Sequence, residues 1–228
     1  GDAPDARELT GRLVGMDSLK EYVRRKAAVA PRDAAEAPAS GEVLRLVPAP
    51  VDPRARHTNL HLCLTGNPGT GKTTACRLLG AVYREAGLLP LGHVVKVARQ
   101  DLVAEHVGGT APRTRNAVDR ALGGVLFVDD AYALVQDDQD AFGREAVDTL
   151  VEAMTDLPGR LAVVLAGYQK EMERLFRANP GLRDRFGEHL HLEDYTPREL
   201  EQIFRRHIAE TPVRLSAEVD AGLDRLCA

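Results

Sequence analysis

A glycine-rich segment of the chain contains residue types that bind phosphate groups. Residues 66–73, Gly-Asn-Pro-Gly-Thr-Gly-Lys-Thr, fit the phosphate-binding loop pattern G-x-x-x-x-G-K-[ST] at every position. The glycines let backbone N–H groups and the start of the following helix point at phosphate oxygens. The Lys72 ammonium would then reach the β- and γ-phosphates, and the Thr73 hydroxyl would ligate Mg²⁺. The segment therefore predicts a binding site for a nucleoside triphosphate.

Two acidic residues follow an apolar run later in the chain. Asp129 and Asp130 come directly after Gly-Val-Leu-Phe-Val at 124–128, which has the composition of a buried strand. Ligands bind at the carboxyl edge of parallel sheets, where these carboxylates would lie. Asp129 would hold the metal through water, and Asp130 would orient the attacking water. Two acids can also begin a surface turn, but their combination with the phosphate loop favours a hydrolytic site.

Short apolar runs alternate with helical patterns from residue 58 onward. Five runs have the length of strands and lie at 60–65, 93–98, 124–128, 161–166 and 188–193. Helical spacing occurs near 72–86, 113–122, 142–156 and 169–178. This alternation predicts an α/β fold in which helices cover both faces of a five-stranded parallel sheet.

Three segments of the chain differ in composition. Residues 1–56 contain a helical pattern within 8–30, interrupted around Gly15, and then a stretch at 31–56 rich in proline and alanine, which predicts a linker. Residues 57–195 contain the predicted sheet. Residues 196–228 have only helical patterns and predict the beginning of a small all-helical lid, whose remainder we expect beyond residue 228.

Charge and hydropathy narrow the range of partners. A formal net charge of −4 gives the chain no general attraction to nucleic acid or to anionic membranes. It contains no apolar stretch of about 18 residues and no basic-then-apolar leader. Its three cysteines have no paired spacing, which is typical of reduced thiols in a cytoplasmic protein. We therefore expect neither a nucleic acid nor a membrane as partner.

Several further motifs lie in a specific order around the phosphate loop and the acid pair. They occupy 66–74, 101–103, 109–114, 123–129, 131–132, 166–168 and 179–186. In these motifs the chain resembles the AAA+ ATPases, and specifically the CbxX/CfxQ family. That family includes red-type Rubisco activases, a sporulation protein and ATPases of type VII secretion. The resemblance extends from about residue 58 to residue 205, and residues 13–16 resemble the family's motif beside the adenine.

The resemblance implies an ATPase that uses ATP and Mg²⁺. The nucleotide-binding residues that it implies are Gly15, Met16, Asn67, Pro68, Gly69, Thr70, Gly71, Lys72, Thr73 and Thr74. Thr73 and Asp129 would hold the metal. Arg185, with Arg183 as the near alternative, matches the arginine finger that reaches the γ-phosphate in the neighbouring subunit. The family also implies a ring, a hexamer, that remodels a protein threaded into a central pore.

The chain departs from the family pattern at several positions. Asp130 replaces the usual glutamate, so its carboxylate lies one methylene farther back, which predicts slow hydrolysis. The pore loop reads His106-Val107-Gly108 instead of beginning with an aromatic residue, and histidine grips a peptide less strongly. Tyr168 follows the fourth predicted strand, where no Asn or Thr is present to act as a first sensor.

Three functions are compatible with these residues. The leading hypothesis is an ATP-driven motor that remodels a protein, and the second is a regulatory module that assembles with ATP and hardly hydrolyses it. A DNA-acting member of the family is the third, and the negative net charge weighs against it. An acidic run at 137–140 is predicted as a solvated loop, with contact to a basic substrate as the alternative.

Overall fold

A five-stranded parallel sheet forms the centre of the fold. The computed structural model describes residues 13–28, 59–137, 139–212, 214–216, 219 and 223. The strands are β1 (Leu62–Gly66), β2 (Val94–Val97), β3 (Val125–Val128), β4 (Ala162–Gly167) and β5 (Glu188–Leu192). They lie in the order β2-β3-β4-β1-β5, and each neighbouring pair is parallel. The predicted α/β fold is confirmed.

Eight α-helices and one short 3-10 helix occur in the described residues. They are α1 (Asp17–Ala28), α2 (Lys72–Glu85), α3 (Arg99–Leu102), α4 (Thr110–Arg120), the 3-10 helix (Ala131–Leu134), α5 (Ala141–Asp156), α6 (Gln169–Ala178), α7 (Pro180–Arg183) and α8 (Pro197–Ala209). The four predicted helices of the sheet region are confirmed to within three residues at each end. The three one-turn helices were not predicted, because four residues are too few to show a helical period.

The N- and C-terminal segments are described only in part. The helical pattern predicted within 8–30 begins as a helix at Asp17, after the predicted interruption around Gly15. The predicted linker at 31–56 lies outside the described residues. Within 196–228, where a lid was predicted, the structure describes the helix α8, which Thr196 caps through reciprocal hydrogen bonds with Glu199. None of the helices among the described residues has the length and apolar character needed to span a membrane.

Helices cover both faces of the sheet, so the central strands are apolar on both sides. On β3, Val125 and Phe127 pack toward α1 and α2, whereas Leu126 and Val128 pack toward α4, α5 and α6. The continuous apolar runs in the sequence reflect this two-sided burial. The hydroxyls of Tyr22 and Tyr83, 2.6 Å apart, join α1 to α2 inside the first of these layers.

The carboxyl ends of the five strands share one edge of the sheet. The glycine-rich loop follows β1, the acid pair follows β3, Tyr168 follows β4, and residues 193–196 follow β5. Since β4 lies between β3 and β1, Tyr168 lies between the acid pair and the loop. The strand order therefore brings the predicted chemical groups into one crevice, as in other open α/β sheets.

Candidate nucleotide-binding site

The glycine-rich loop has the backbone conformation that its sequence predicts. Gly69 and Gly71 have φ values of +83° and +86°, in the left-handed region that glycine adopts readily. A Cβ at Gly71 would collide with the Met16 side chain and would lie 3.0 Å from the Tyr195 hydroxyl. Both the backbone angle and the crowding therefore require glycine at this position.

Lys72, the first residue of α2, closes over the loop. Its Nζ donates hydrogen bonds of 2.8 Å to the carbonyl oxygens of both Gly66 and Asn67. Partial burial lowers the pKa of Lys72, while the charges of Asp129 and Asp130 act in the opposite direction. The structure thus brings the predicted lysine and the acid pair together.

The other loop residues divide between shaping the loop and facing solvent. Thr70 is 2% exposed, and its hydroxyl donates a 2.9 Å hydrogen bond to the Asn67 carbonyl, which fixes the turn. Pro68 and Gly69 are exposed at the tip of the loop. In the first turn of α2, Thr73 is half-buried and Thr74 is exposed.

The acid pair follows β3 as predicted, and its two members differ in conformation. The backbone N–H of Asp129 donates a 2.9 Å hydrogen bond to the Val97 carbonyl of β2, which extends the pairing of the two strands. The Asp129 carboxylate lies 2.7 Å from the Lys96 ammonium. Asp130 has φ and ψ of 48°, a left-handed conformation that is uncommon for a residue with a side chain. Burial, and secondly the Asp130 charge, raise the pKa of Tyr132.

Tyr168 lies between the loop and the acid pair, although sequence reasoning assigned it no role. Its ring centroid is 5.8 Å from the Lys72 ammonium and 5.6 Å from the Tyr132 ring. A cation at this distance from an aromatic face is attracted to it. The feature of the sequence that could have selected Tyr168 is its position directly after the buried central strand β4, and not its residue type.

Residues before α1 meet the loop and the segment after β5. A Cβ at Gly15, where φ is +64°, would lie 2.6 Å from a Glu199 carboxylate oxygen and 3.4 Å from the Tyr195 ring. Met16 contacts the Gly71 position, and the Tyr195 hydroxyl donates a 3.3 Å hydrogen bond to the Thr70 carbonyl. The structure therefore brings Gly15 and Met16 to the site, together with Tyr195 and Glu199, which the sequence analysis did not select.

The two candidate arginine fingers lie away from this crevice. Arg183 ends α7 and is exposed, whereas Arg185 is half-buried beside the start of β1, at the opposite edge of the sheet. Burial, and secondly the Arg185 charge, lower the pKa of His61 to about 4. The Arg185 Nε is buried and has no hydrogen-bond partner among the described residues. The structure does not bring either arginine to the chain's own phosphate loop.

The predicted pore-loop residues lie in a turn between α3 and α4. His106 and Gly108 are exposed, and Val107 is 89% exposed. Gly108 has a φ of +79°, so the chain reverses direction sharply at this point. A mostly exposed valine at the tip of a turn is available for contact with another molecule.

The acidic run at 137–140 contains one residue for which the prediction of a solvated loop is wrong. Asp140 is only 9% exposed and pairs with Arg99 through contacts of 2.6 and 3.2 Å. It also caps α5 by accepting a hydrogen bond from the Gly143 N–H at 2.8 Å. Asp137 is exposed as predicted, and Asp138 lies outside the described residues.

Comparison with known proteins identifies the family. Residues 62–194 match the family model described as ATPase family associated with various cellular activities (AAA). The chain belongs to this AAA family. Within it, the CbxX/CfxQ branch predicted from the motifs is confirmed by relatives that carry those names.

Two curated relatives illustrate the similarity of this AAA ATPase chain. It is 42% identical over 161 residues to the plasmid-encoded protein CbxX of Cupriavidus necator, covering 70% of the chain and 51% of the relative. It is 38% identical over 162 residues to the chloroplastic ribulose bisphosphate carboxylase/oxygenase activase of Cyanidioschyzon merolae, covering 71% of the chain and 55% of that protein. The chain thus spans about half the length of these curated relatives.

A solved structure supports the AAA fold independently. The crystal structure of the FIGL-1 AAA domain in complex with ADP superposes with a TM-score of 0.60 at 17% identity. The superposition covers 99% of this chain and 66% of that one. At this level of identity the similarity concerns the fold.

Proposed function

We propose that this chain binds ATP with Mg²⁺ and hydrolyses it in a self-assembled ring, using the energy to remodel a protein partner. The observation that carries the proposal is the meeting of Lys72, Asp129 and Asp130 at the carboxyl edge of the sheet. A flexible cation next to two carboxylates, at the start of a helix, is suited to binding a phosphate chain and a divalent metal. Membership of the AAA family supports the same reaction.

Different residues of the chain would bind the phosphates and orient the attacking water. Lys72 would exchange the carbonyls of Gly66 and Asn67 for phosphate oxygens, and the loop N–H groups would hold the β-phosphate. Asp130 would orient the attacking water and accept its proton. Asp130 lies directly after Asp129 at the carboxyl edge of the sheet, where its charge acts on the Lys72 ammonium.

The donor set at the site fits Mg²⁺. Thr73 and Asp129 would hold the metal, and a hydroxyl and a carboxylate are the oxygen ligands that Mg²⁺ prefers when phosphates complete its shell. Among the described residues, no group of three or more His, Cys, Asp and Glu side chains is arranged to hold a metal without a nucleotide. When bound, Mg²⁺ neutralises the charge that develops on the phosphate oxygens.

Completion of the site would require a second subunit. Arg185 lies at the opposite edge of the sheet from the phosphate loop, and Arg183 is exposed at the end of α7. An arginine in that position can contact the nucleotide of a neighbour but not its own, and a planar cation supplied in trans stabilises the transition state. This arrangement supports a closed ring, for which the family resemblance suggests six subunits.

The client is proposed to be a protein that contacts the exposed turn at 106–108. Val107 offers an apolar contact there, and His106 supplies the position that the family usually fills with an aromatic residue. A relative is named as an activase of ribulose bisphosphate carboxylase/oxygenase. The chemistry of the turn supports a protein client without selecting a particular one.

A weakly hydrolysing module that assembles with ATP is the second candidate. The observation that favours it is Asp130, which has a shorter side chain than the usual glutamate and an uncommon left-handed backbone conformation. A carboxylate held about 1 Å from its productive position can cost on the order of 10²-fold in rate. In this case nucleotide binding, and not turnover, would control assembly.

The decisive experiment measures the Mg²⁺-ATP hydrolysis rate per subunit as the protein concentration rises. We expect the specific activity to climb with concentration, because subunits complete one another's sites, and we expect Lys72→Met to abolish it. A flat, near-zero rate despite ATP binding would contradict the motor and favour the ATP-gated module. Absence of ATP binding would contradict both.

A further inference from the structure

Lys96 of strand β2 reaches the carboxylate of the proposed metal ligand. The strands β2 and β3 pair in parallel with Lys96 opposite Phe127, so these two side chains lie on the same face of the sheet. Because side chains alternate between the two faces along a strand, Asp129, two residues after Phe127, lies on the same face. The Lys96 ammonium lies 2.7 Å from Oδ2 of Asp129. The register of the edge strand β2 therefore places the Lys96 ammonium against the carboxylate that is proposed to hold Mg²⁺.

The two lysines near the acid pair have different partners. Lys72 donates hydrogen bonds to the carbonyls of Gly66 and Asn67. Lys96 is the ammonium that pairs with Asp129 in the described part of the chain. Asp129 is 26% exposed and Lys96 is 54% exposed, so the pair stands at the rim of the crevice, open to ions from solution.

We propose that Lys96 is a positioning residue that competes with Mg²⁺ for Asp129 and sets the metal affinity of the nucleotide site. The inference rests on the proposed function, because it assigns Asp129 to the metal. A carboxylate oxygen bonded to an ammonium has less charge to offer a second cation, and the ammonium repels a divalent ion nearby. We therefore expect the binding of Mg²⁺ with ATP, directly or through water at Asp129, to weaken this ion pair.

The pair is suited to competition because it contributes little to folding. Ion pairs between exposed side chains have small net free energies, since water and salt screen them. Lys96 is also on the edge strand and is more than half exposed, so it is not part of the buried core. Replacing Lys96 should therefore leave the fold intact while changing the local charge at Asp129.

The test is a Mn²⁺ titration followed by electron paramagnetic resonance, on the full chain saturated with a non-hydrolysable ATP analogue. We expect Lys96→Met to bind Mn²⁺ about 3- to 10-fold more tightly than the natural chain, because one competing charge is removed. Lys96→Arg keeps the charge and should bind within about 2-fold of the natural chain. Affinity for the analogue in excess EDTA should be unchanged in Lys96→Met.

A matched control removes a cation elsewhere. Arg115 of α4 forms an ion pair of 2.9 Å with Glu152 of α5, and the Arg115 side chain is 61% exposed. Arg115→Met should leave Mn²⁺ affinity unchanged, so a shift in both Met variants would reflect net charge and would overturn the inference. Weaker or unchanged binding in Lys96→Met would also overturn it.

The same titration separates this inference from the proposed function. It requires no hydrolysis, so a chain that binds Mn²⁺ more tightly after Lys96→Met but never turns over ATP would support the inference and contradict the motor. A natural chain that binds no Mn²⁺ with the analogue would contradict both proposals. A natural chain that hydrolyses ATP, with no shift in Lys96→Met, would contradict the inference alone.

Discussion

Asn67 of the glycine-rich loop donates its side-chain amide to both carboxylate oxygens of Asp194, at 3.0 and 2.8 Å. Asp194 follows β5, and the next residue, Tyr195, bonds the Thr70 carbonyl of the same loop. These contacts join the phosphate loop to the segment that leads into α8. A ligand that moves the loop would therefore also act on the start of the helical segment.

Asp194→Ala is expected to weaken ATP binding about 3- to 10-fold, because the loop loses the anchor that holds it ready for phosphate. Fluorescence titration with a labelled ATP would measure the change. Glu193→Ala is the matched control, since Glu193 is adjacent in sequence, acidic and 83% exposed. Equal affinities for the two variants would show that the Asn67–Asp194 contact does not shape the site.

Asp130→Asn is expected to lower the turnover number by at least about 10²-fold, because an amide cannot accept the proton of the attacking water. The dissociation constant for ATP should change less than about 2-fold, which equilibrium titration would verify. Unchanged turnover would remove Asp130 from the mechanism. Asp130→Glu separates the two proposed functions, since a large gain in turnover would mark the natural chain as a weakly hydrolysing module.

The crevice could be predicted from the sequence because its parts follow strands that are almost wholly apolar. Burial on both faces leaves β3 and β4 without polar residues and β1 with Thr65 alone, so the loop, the acid pair and Tyr168 stand out where each run ends. A parallel sheet then places these strand ends at one edge. The meeting of Lys72 with the acid pair could therefore be predicted, whereas the roles of these residues in the reaction stay predictions.

Contacts that depend on strand register or on distant segments could not be predicted. The pairing of Lys96 with Asp129 exists only because β2 and β3 align Lys96 with Phe127, and a shift of one residue would direct Lys96 to the other face. Asn67 and Asp194 are separated by 127 positions in the chain. No local pattern distinguishes Asp194 from its acidic neighbour Glu193.

Mixing two inactive variants tests whether an arginine acts in trans. Arg185→Ala should lower turnover about 10³-fold with ATP binding retained, and Asp130→Asn is also expected to be inactive. Combined in equal amounts, they should recover about a quarter of the natural rate, because in random mixing that fraction of interfaces joins an intact Asp130 to an intact Arg185. Failure of the mixture to recover, together with recovery when Arg183→Ala is used instead, would assign the role to Arg183.

Asp140 should make stability depend on pH in the acidic range. Partial burial would raise its pKa, but hydrogen bonds from Arg99 and from the N–H groups of Gln136 and Gly143 prevail and lower it from 3.8 to about 2. The ionised carboxylate therefore stabilises the fold fully above about pH 4, and this contribution is lost as the pH falls toward about 2. Asp140→Asn keeps a good helix cap, so its expected cost of about 1–2 kcal/mol at pH 7 reports mainly the Arg99 pair. Urea unfolding between pH 7 and pH 3 should show that the difference in free energy of unfolding between Asp140→Asn and the natural chain shrinks below pH 4. Asp137→Asn is the control and should differ little from the natural chain. A difference for Asp140→Asn that stays constant with pH would refute the assignment.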